Sequence, residues 1–213
     1  MCGELPRIEA ATEVVIVMHH VEGRRASNTG RLAAKILGAE VRLRGLRDAQ
    51  VPTPGPCSLR SARPAPPKSL TPFVQGGEPS MASGAAPTTG DGARRLVLFP
   101  AESARVLGPE DALRGPVVLV VPDGNWRQAS RVIHRDEAAA GAEIVTLPPG
   151  PPSRYRLRKR HNEAALSTFE AIARALAILE RPSIEGEMMR AFDLFVTRTL
   201  ALRGGIPAAG FED

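Results

Sequence analysis

The chain has 213 residues, 43% hydrophobic and 24% charged, which is enough for one α/β domain with a real core and too apolar for an unfolded polymer. No apolar run approaches the roughly 18 residues that span a bilayer, and Met1 to Pro6 holds no basic stretch leading into an apolar one, so a cytoplasmic protein with no membrane partner is expected. The net charge of +5 is carried almost wholly by arginine, whose planar fork suits phosphate, while Cys2, Cys57 and the four histidines have no spacing that makes a disulfide framework or a metal site.

In chain order, Glu13-Val14-Val15-Ile16-Val17-Met18 is a short β-branched run that reads as a buried strand. His19 to Arg25 is polar and reads as a loop. Ser27-Asn28-Thr29 supply capping side chains for a helix from about Gly30 to Leu37, and Gly38 stands where a C-cap glycine belongs. Val41 to Leu46 reads as a second strand. From about 52 to 93 proline, glycine, serine and threonine dominate, as in Pro64-Ala65-Pro66-Pro67. Such a segment buries too little apolar surface to offset its ordering entropy, so a disordered insert within a single domain spanning 1–213 is expected.

Regular structure resumes with a strand at Leu96-Val97-Leu98-Phe99, stopped by Pro100, and a short helix from Ala101 to Leu107. Pro116 to Val121 is the strongest strand, apolar on both faces, and Asn125 to His134 reads as a helix. Ile144 to Leu147 is a further strand, stopped by Pro148 and Pro149. Helices follow over about Ser167–Leu179 and Ile184–Leu202. Apolar strands alternating with helices specify an α/β fold, a mainly parallel sheet flanked by helices.

Ligands of open α/β sheets bind beyond the carboxyl ends of the strands. Three such ends are Leu98-Phe99-Pro100, Asp123-Gly124-Asn125-Trp126 and Leu147-Pro148-Pro149. Asp123 follows the most buried strand and precedes a helix, where it can be a ligand-facing carboxylate or simply a cap. Gly124 lets backbone come close to a ligand, and Asn125 and Trp126 begin a helix whose first amides point outward. Trp126, the only tryptophan, has as its plainest role a core residue or a wedge between helix and sheet, ahead of stacking on a base.

Asp123-Gly124-Asn125-Trp126 resembles the Asp-x-Thr-Trp signature of the DTW-domain family. Ser27-Asn28-Thr29-Gly30-Arg31 resembles that family's Ser-x-Asn-Thr-x-Arg element, and Leu98-Phe99-Pro100 its strand end before a short acidic helix. Tyr155-Arg156-Leu157-Arg158 and Leu166 to Ala171 resemble its Tyr-x-x-Arg and Ser-Thr-x-Glu-Ala elements. The resemblance covers the chain apart from the insert. It departs at Asn125, where the family has threonine, and at the N-terminus, where only Cys2 stands for a cysteine cluster that looks metal-binding in many relatives.

The resemblance implies a SPOUT-like fold with a trefoil knot around S-adenosylmethionine. It implies transfer of the 3-amino-3-carboxypropyl (acp) group to N3 of a uridine in tRNA, releasing methylthioadenosine. A uridine N3 proton is weakly acidic, so a carboxylate set against it can take that proton during attack, and Asp123 is the candidate base. Cofactor binding is expected at Leu98, Phe99, Pro100, Gly124, Asn125, Trp126 and Leu147, with Ser167 and Thr168 nearby; no metal is expected. For Leu98 and Leu147 the competing reading is plain core packing.

The basic run Arg154, Tyr155, Arg156, Arg158, Lys159, Arg160 is the strongest nucleic-acid feature, with Arg24, Arg25 and Arg31 as a second phosphate contact. Its competing reading is a solvated loop. Two other functions stay open, a SPOUT-like S-adenosylmethionine-dependent RNA methyltransferase and a non-catalytic RNA-binding module. The oligomeric state is open as well.

Overall fold

The computed structural model describes residues 5–45, 92–157 and 165–204, all in one compact unit of the chain. The insert expected at about 52–93 lies, as far as residue 91, outside the described residues, and so do Arg158, Lys159 and Arg160.

Among the described residues, six strands form one sheet. They are β1 (Glu13–His19), β2 (Glu40–Arg44), β3 (Arg94–Leu98), β4 (Arg105–Val106), β5 (Val117–Asp123) and β6 (Glu143–Thr146). Their order is β2-β1-β5-β3-β6-β4, and every pairing is parallel. Among the described residues the helices are α1 (His20–Gly23), α2 (Thr29–Leu37), α3 (Glu110–Leu113), α4 (Trp126–Arg135), α5 (Thr168–Leu179) and α6 (Ser183–Leu202), with a 3-10 turn at Glu137–Ala139.

The sheet feeds two cores, and this explains its sequence. Val14, Ile16 and Met18 of β1 and Val117, Leu119 and Val121 of β5 face one way, against Leu32 and Ile36 of α2, Phe169 and Leu176 of α5 and Phe192 of α6. Val15, Val17, Val118 and Val120 face the other way, against Ala129 and Val132 of α4 and Ala138 and Ala139 of the 3-10 turn. A strand covered on both faces has no polar side to show, hence the unbroken apolar runs. Among the described residues, no helix is long and apolar enough to cross a membrane.

Local capping follows the sequence closely. Asn28 caps α2, and Gly38 ends it at φ +67°. Asn125 and Gln128 form a reciprocal capping box on α4, and Ser167 and Glu170 form another on α5.

Three local expectations are corrected. The helix expected over Ala101–Leu107 is a turn followed by β4. The Leu107 amide donates to the Thr146 carbonyl at 2.8 Å, and Arg105 pairs with Val145, so partners on β6 satisfy this backbone better than a short helix would. The polar loop after β1 contains the one-turn α1, capped by the His19 side chain. Finally, β5 runs through Pro122 to Asp123, which makes that aspartate the last residue of the strand rather than the first beyond it.

Candidate active site at the strand ends

From β1 the chain turns back through α2 to β2, while from β5 it leaves through α4 on the opposite face towards β6. The neighbours β1 and β5 therefore send their connections in opposite directions, and the carboxyl ends at such a switch point are where open α/β sheets bind ligands. Met18 and Asp123 are in register there.

Asp123 is the hub of this switch point and is only 7% exposed. Its Oδ2 accepts a hydrogen bond from Asn28 Nδ2 at 2.6 Å, and its Oδ1 accepts one from Thr168 Oγ1 at 2.5 Å. Asn28 meanwhile caps α2, its Oδ1 accepting from the Arg31 amide at 2.7 Å. One carboxylate thus ties the first turn of α2 to the first turn of α5. The approach is close enough to need a glycine: a Cβ on Gly30 would lie 2.9 Å from both Cγ and Oδ2 of Asp123 and 3.3 Å from Met18 Cε.

The other elements brace this hub. Glu170, 1% exposed, accepts from the Arg154 amide at 2.6 Å and from the hydroxyls of Ser153 and Ser167, each at 2.7 Å. Tyr155 donates its hydroxyl to the Ser27 carbonyl at 2.6 Å, and its ring centroid lies 5.9 Å from that of Phe192. Arg154 pairs with Asp193.

The three expected strand ends are neighbours, since β5, β3 and β6 are adjacent and parallel. Leu98 belongs to the α2–α5–α6 core, with Leu147 packed against it, whereas Phe99 belongs to the α4 core. Pro100, Gly124 and Asn125 are exposed. Trp126 is 64% exposed, which corrects its reading as a core residue; it leans on Phe99 with centroids 4.8 Å apart. Gly124 has a local cause: a Cβ there would stand 3.0 Å from Gln128 Cβ and 2.9 Å from Gln128 Oε1, so its bareness makes room for the α4 capping box.

Arg24, Arg25, Arg31, Arg154 and Arg156 are exposed. Arg31 Nη1 donates to the Gly23 carbonyl at 2.6 Å, and Arg25 pairs with Glu22 at 3.3 Å. Asn28 and Gly30 were legible as cap, helix start and part of a family-like element, and nothing near them in sequence announces the carboxylate they receive. A cavity of about 250 Å³ also opens beside Asn28 between α2 and α6, where Lys35 and Arg198 join Arg25 and Arg31.

A family model described as DTW domain matches residues 1–200. The tRNA-uridine aminocarboxypropyltransferase 2 of Drosophila melanogaster is 34% identical over 101 residues, which are 47% of this chain and 40% of that protein. The protein of the same name from Macaca fascicularis is 33% identical over 89 residues, 40% of this chain and 30% of that one. The chain therefore spans less than half the length of these curated relatives. A solved structure of the SAM-dependent rRNA:acp-transferase Tsr3 from Vulcanisaeta distributa superposes with a TM-score of 0.47 at 17% identity, covering 90% of this chain and 79% of that one.

Proposed function

We propose, from the premise that this chain belongs to the DTW-domain family, that it transfers the 3-amino-3-carboxypropyl group of S-adenosylmethionine to N3 of a uridine in tRNA, releasing methylthioadenosine. The relatives' names point to this reaction, and one observation of this chain carries it. The residues resembling the family's separate motifs meet at a single carboxylate: Asn28 from the first motif and Thr168 from the last both donate to Asp123 in the central one.

S-adenosylmethionine fits the neighbouring strand ends. Three parallel strands end side by side, and Trp126 offers an exposed aromatic face next to Phe99, a surface suited to a flat heterocycle. Leu98, Phe99, Pro100, Gly124, Asn125, Trp126 and Leu147 would hold it, with Ser167 and Thr168 on the α5 side. When bound, it supplies an electrophilic carbon and a neutral thioether leaving group, so the residues' main task is in-line alignment of N3. In that alignment Asp123 takes the N3 proton as the N3–carbon bond forms. A second reading has its own observation. Both Asp123 oxygens already accept a hydrogen bond, which favours a positioning role in which the carboxylate fixes α2 and α5 around the substrates.

For the RNA, Arg24, Arg25, Arg31, Arg154 and Arg156 form the phosphate-facing surface, and Arg158, Lys159 and Arg160 extend the same basic run. Tyr155 serves that surface by pinning the run to Ser27. A cytoplasmic site of action, in one of the compartments that hold tRNA, goes with this reading.

The deciding experiment is nucleoside mass spectrometry of tRNA incubated with the protein and S-adenosylmethionine. Acp-uridine together with methylthioadenosine is the expected outcome. A methylated uridine with S-adenosylhomocysteine would make the protein a methyltransferase, and an unmodified pool under conditions where a homologue works would leave only an RNA-binding module.

A further inference from the structure

We infer that the exposed face of α4 is a docking surface for the RNA substrate, on which the row Arg127, Arg131 and Arg135 follows the phosphates of the strand leading away from the target base. This rests on the tRNA reading above and adds a surface that none of the family-like motifs includes.

The two sides of α4 differ sharply. Ala129 and Val132 are buried with Val15, Val17, Val118 and Val120 of the sheet, whereas Trp126, Arg127, Arg131, His134 and Arg135 are exposed. The arginines stand at i, i+4 and i+8, so they form one row, with a step of about 6 Å at 1.5 Å of rise per residue. That step is close to the separation of neighbouring phosphates along an RNA strand.

The helix itself gives no reason for the row. No acidic residue occurs in α4, and among the described residues Arg127, Arg131 and Arg135 have no ion-pair partner. Like charges at i, i+4 destabilise a helix, and Arg127 stands in the first turn, where the helix dipole disfavours a cation. The last turn does favour a cation, but Arg44 already supplies one. Its Nη1 and Nη2 donate to the Arg131 and Arg135 carbonyls at 3.3 and 3.2 Å, and its Nε pairs with Asp136 at 2.9 Å. An exposed row of guanidiniums that works against its own helix matches an extended polyanion.

Position selects RNA as that polyanion. The first residue of α4, Trp126, leans on Phe99 just past the end of β3, and the helix slants from there to Arg44, the last residue of β2. Burial and His20 push the His19 imidazole below its ordinary 6.5; Glu22 opposes them, and Arg131 and Arg44 add to the lowering, so the charge of Arg131 is felt at the end of β1. The row thus starts at the proposed cofactor platform and passes the strand ends. Arg31 lies in the first turn of α2, on the opposite face of the sheet, so a strand whose base reaches Asp123 would meet cations on both sides. A membrane surface fits less well, because the apolar side of α4 is covered by the sheet and has nothing to insert.

The test is binding of a fluorescently labelled tRNA transcript, measured by anisotropy over a series of salt concentrations without S-adenosylmethionine. Arg127→Gln and Arg131→Gln should each weaken binding about 3–10-fold and lower the slope of log affinity against log salt by about one. Arg114→Gln, an exposed site at the end of α3, should stay within about twofold of the parent. The Tm of Arg127→Gln should equal or exceed that of the parent, since a cation leaves the positive end of the dipole. S-adenosylmethionine affinity, read by calorimetry, and sedimentation with vesicles of phosphatidylcholine and phosphatidylserine should be the same in parent and variants.

Parental tRNA affinity and salt slope in both α4 variants would overturn the inference. A lowered Tm in both would do so as well, by giving the row a structural reason. A fall in S-adenosylmethionine affinity with tRNA binding intact would make the row a site for the cofactor's carboxylate, and lost vesicle binding with tRNA binding intact would make it a membrane contact; either result overturns the inference. Binding is read without turnover. Weakened binding in the variants with no acp-uridine from the parent would therefore reject the reaction alone, and acp-uridine formation with unaltered binding in the variants would reject the surface alone.

Discussion

Replacing Gly30 by alanine sets two known effects against each other. Exposed helix positions favour alanine over glycine by up to about 1 kcal/mol, and less in the first turn, where Gly30 sits. The added methyl would lie 2.9 Å from the Asp123 carboxylate and 3.3 Å from Met18 Cε, with both neighbours buried. Overpacking of this kind costs about 1–3 kcal/mol, and loosening the Asn28 bond to a buried carboxylate adds about 1–3 kcal/mol. The net expectation is a loss of about 2 kcal/mol, or roughly 4–8 °C in Tm for a domain of this size. Gly186→Ala is the matched control. It stands in α6, where a Cβ would meet only Arg190 Nη1 at 3.9 Å, so it should be neutral or raise Tm by a few degrees. Thermal and urea unfolding of both variants decide the matter. If Gly30→Ala is as stable as the parent, or gains as Gly186→Ala does, the close approach of α2 to Asp123 is wrong.

Asp123→Asn should leave tRNA affinity within about twofold and reduce turnover by about 100-fold or more. Trp126→Ala should change stability by no more than about 1 kcal/mol, because the side chain is 64% exposed, and should weaken S-adenosylmethionine binding at least about tenfold. As Trp126 is the only tryptophan, its emission should change when the cofactor is added to the parent, and an unaltered spectrum at saturation would count against the strand-end site. Arg105→Gln removes the guanidinium that donates to both oxygens of fully buried Asp111, at 2.8 and 2.6 Å, and to Glu143, so urea unfolding at neutral pH should show a loss of about 2–3 kcal/mol. Burial pushes the Asp111 carboxyl up, but Arg105, the Gly108 amide and Arg94 outweigh it and hold it below its ordinary 3.8; Arg105 likewise holds Glu143 below 4.5. Lowered folded values mean that this stabilisation is complete above the ordinary values and is lost as pH falls through the folded ones. The parent's stability should therefore fall more steeply with acid below about pH 4 than that of Arg105→Gln, and parallel acid limbs would contradict the network.

The sheet was legible because each central strand is covered on both faces, leaving Val14 to Met18 and Val117 to Val121 without polar interruption. The caps were legible because Asn28, Asn125 and Ser167 act on amides only a few residues away. What sequence could not supply is the second partner of those same side chains. Asn28 meets Asp123 across 95 residues, Thr168 meets it across 45, and Tyr155 reaches Ser27 across 128. A polar residue with a sufficient local role gives no sign of a distant one. The segment Ala101–Leu107 failed for a related reason, since its backbone partners lie on β6, outside any local window. Arg198 and Lys35 were invisible as a pair because α2 and α6 come together only through the shared core beneath Leu32 and Phe192.

Asp123 couples the first turns of α2 and α5 mechanically. The strand ends near Trp126 lie at one side of the switch point, and the basic cavity opens beside Asn28 at the other. Asp123 sits between them, with both oxygens engaged and little solvent to relax into. A buried carboxylate cannot give up a donor cheaply, so any shift of Asn28 must be followed by Asp123 or answered by Thr168. Thr168 begins α5, whose packing against α6 through Phe169 and Phe192 returns the displacement to the wall carrying Phe195 and Arg198. The contacts from Asn28 through Asp123 and Thr168 to α5 and α6 are short, so a movement of either end is felt at the carboxylate. Two helices moving independently would need no such residue, and an aspartate serving only as a helix cap would have no reason to bind two helices and face a glycine.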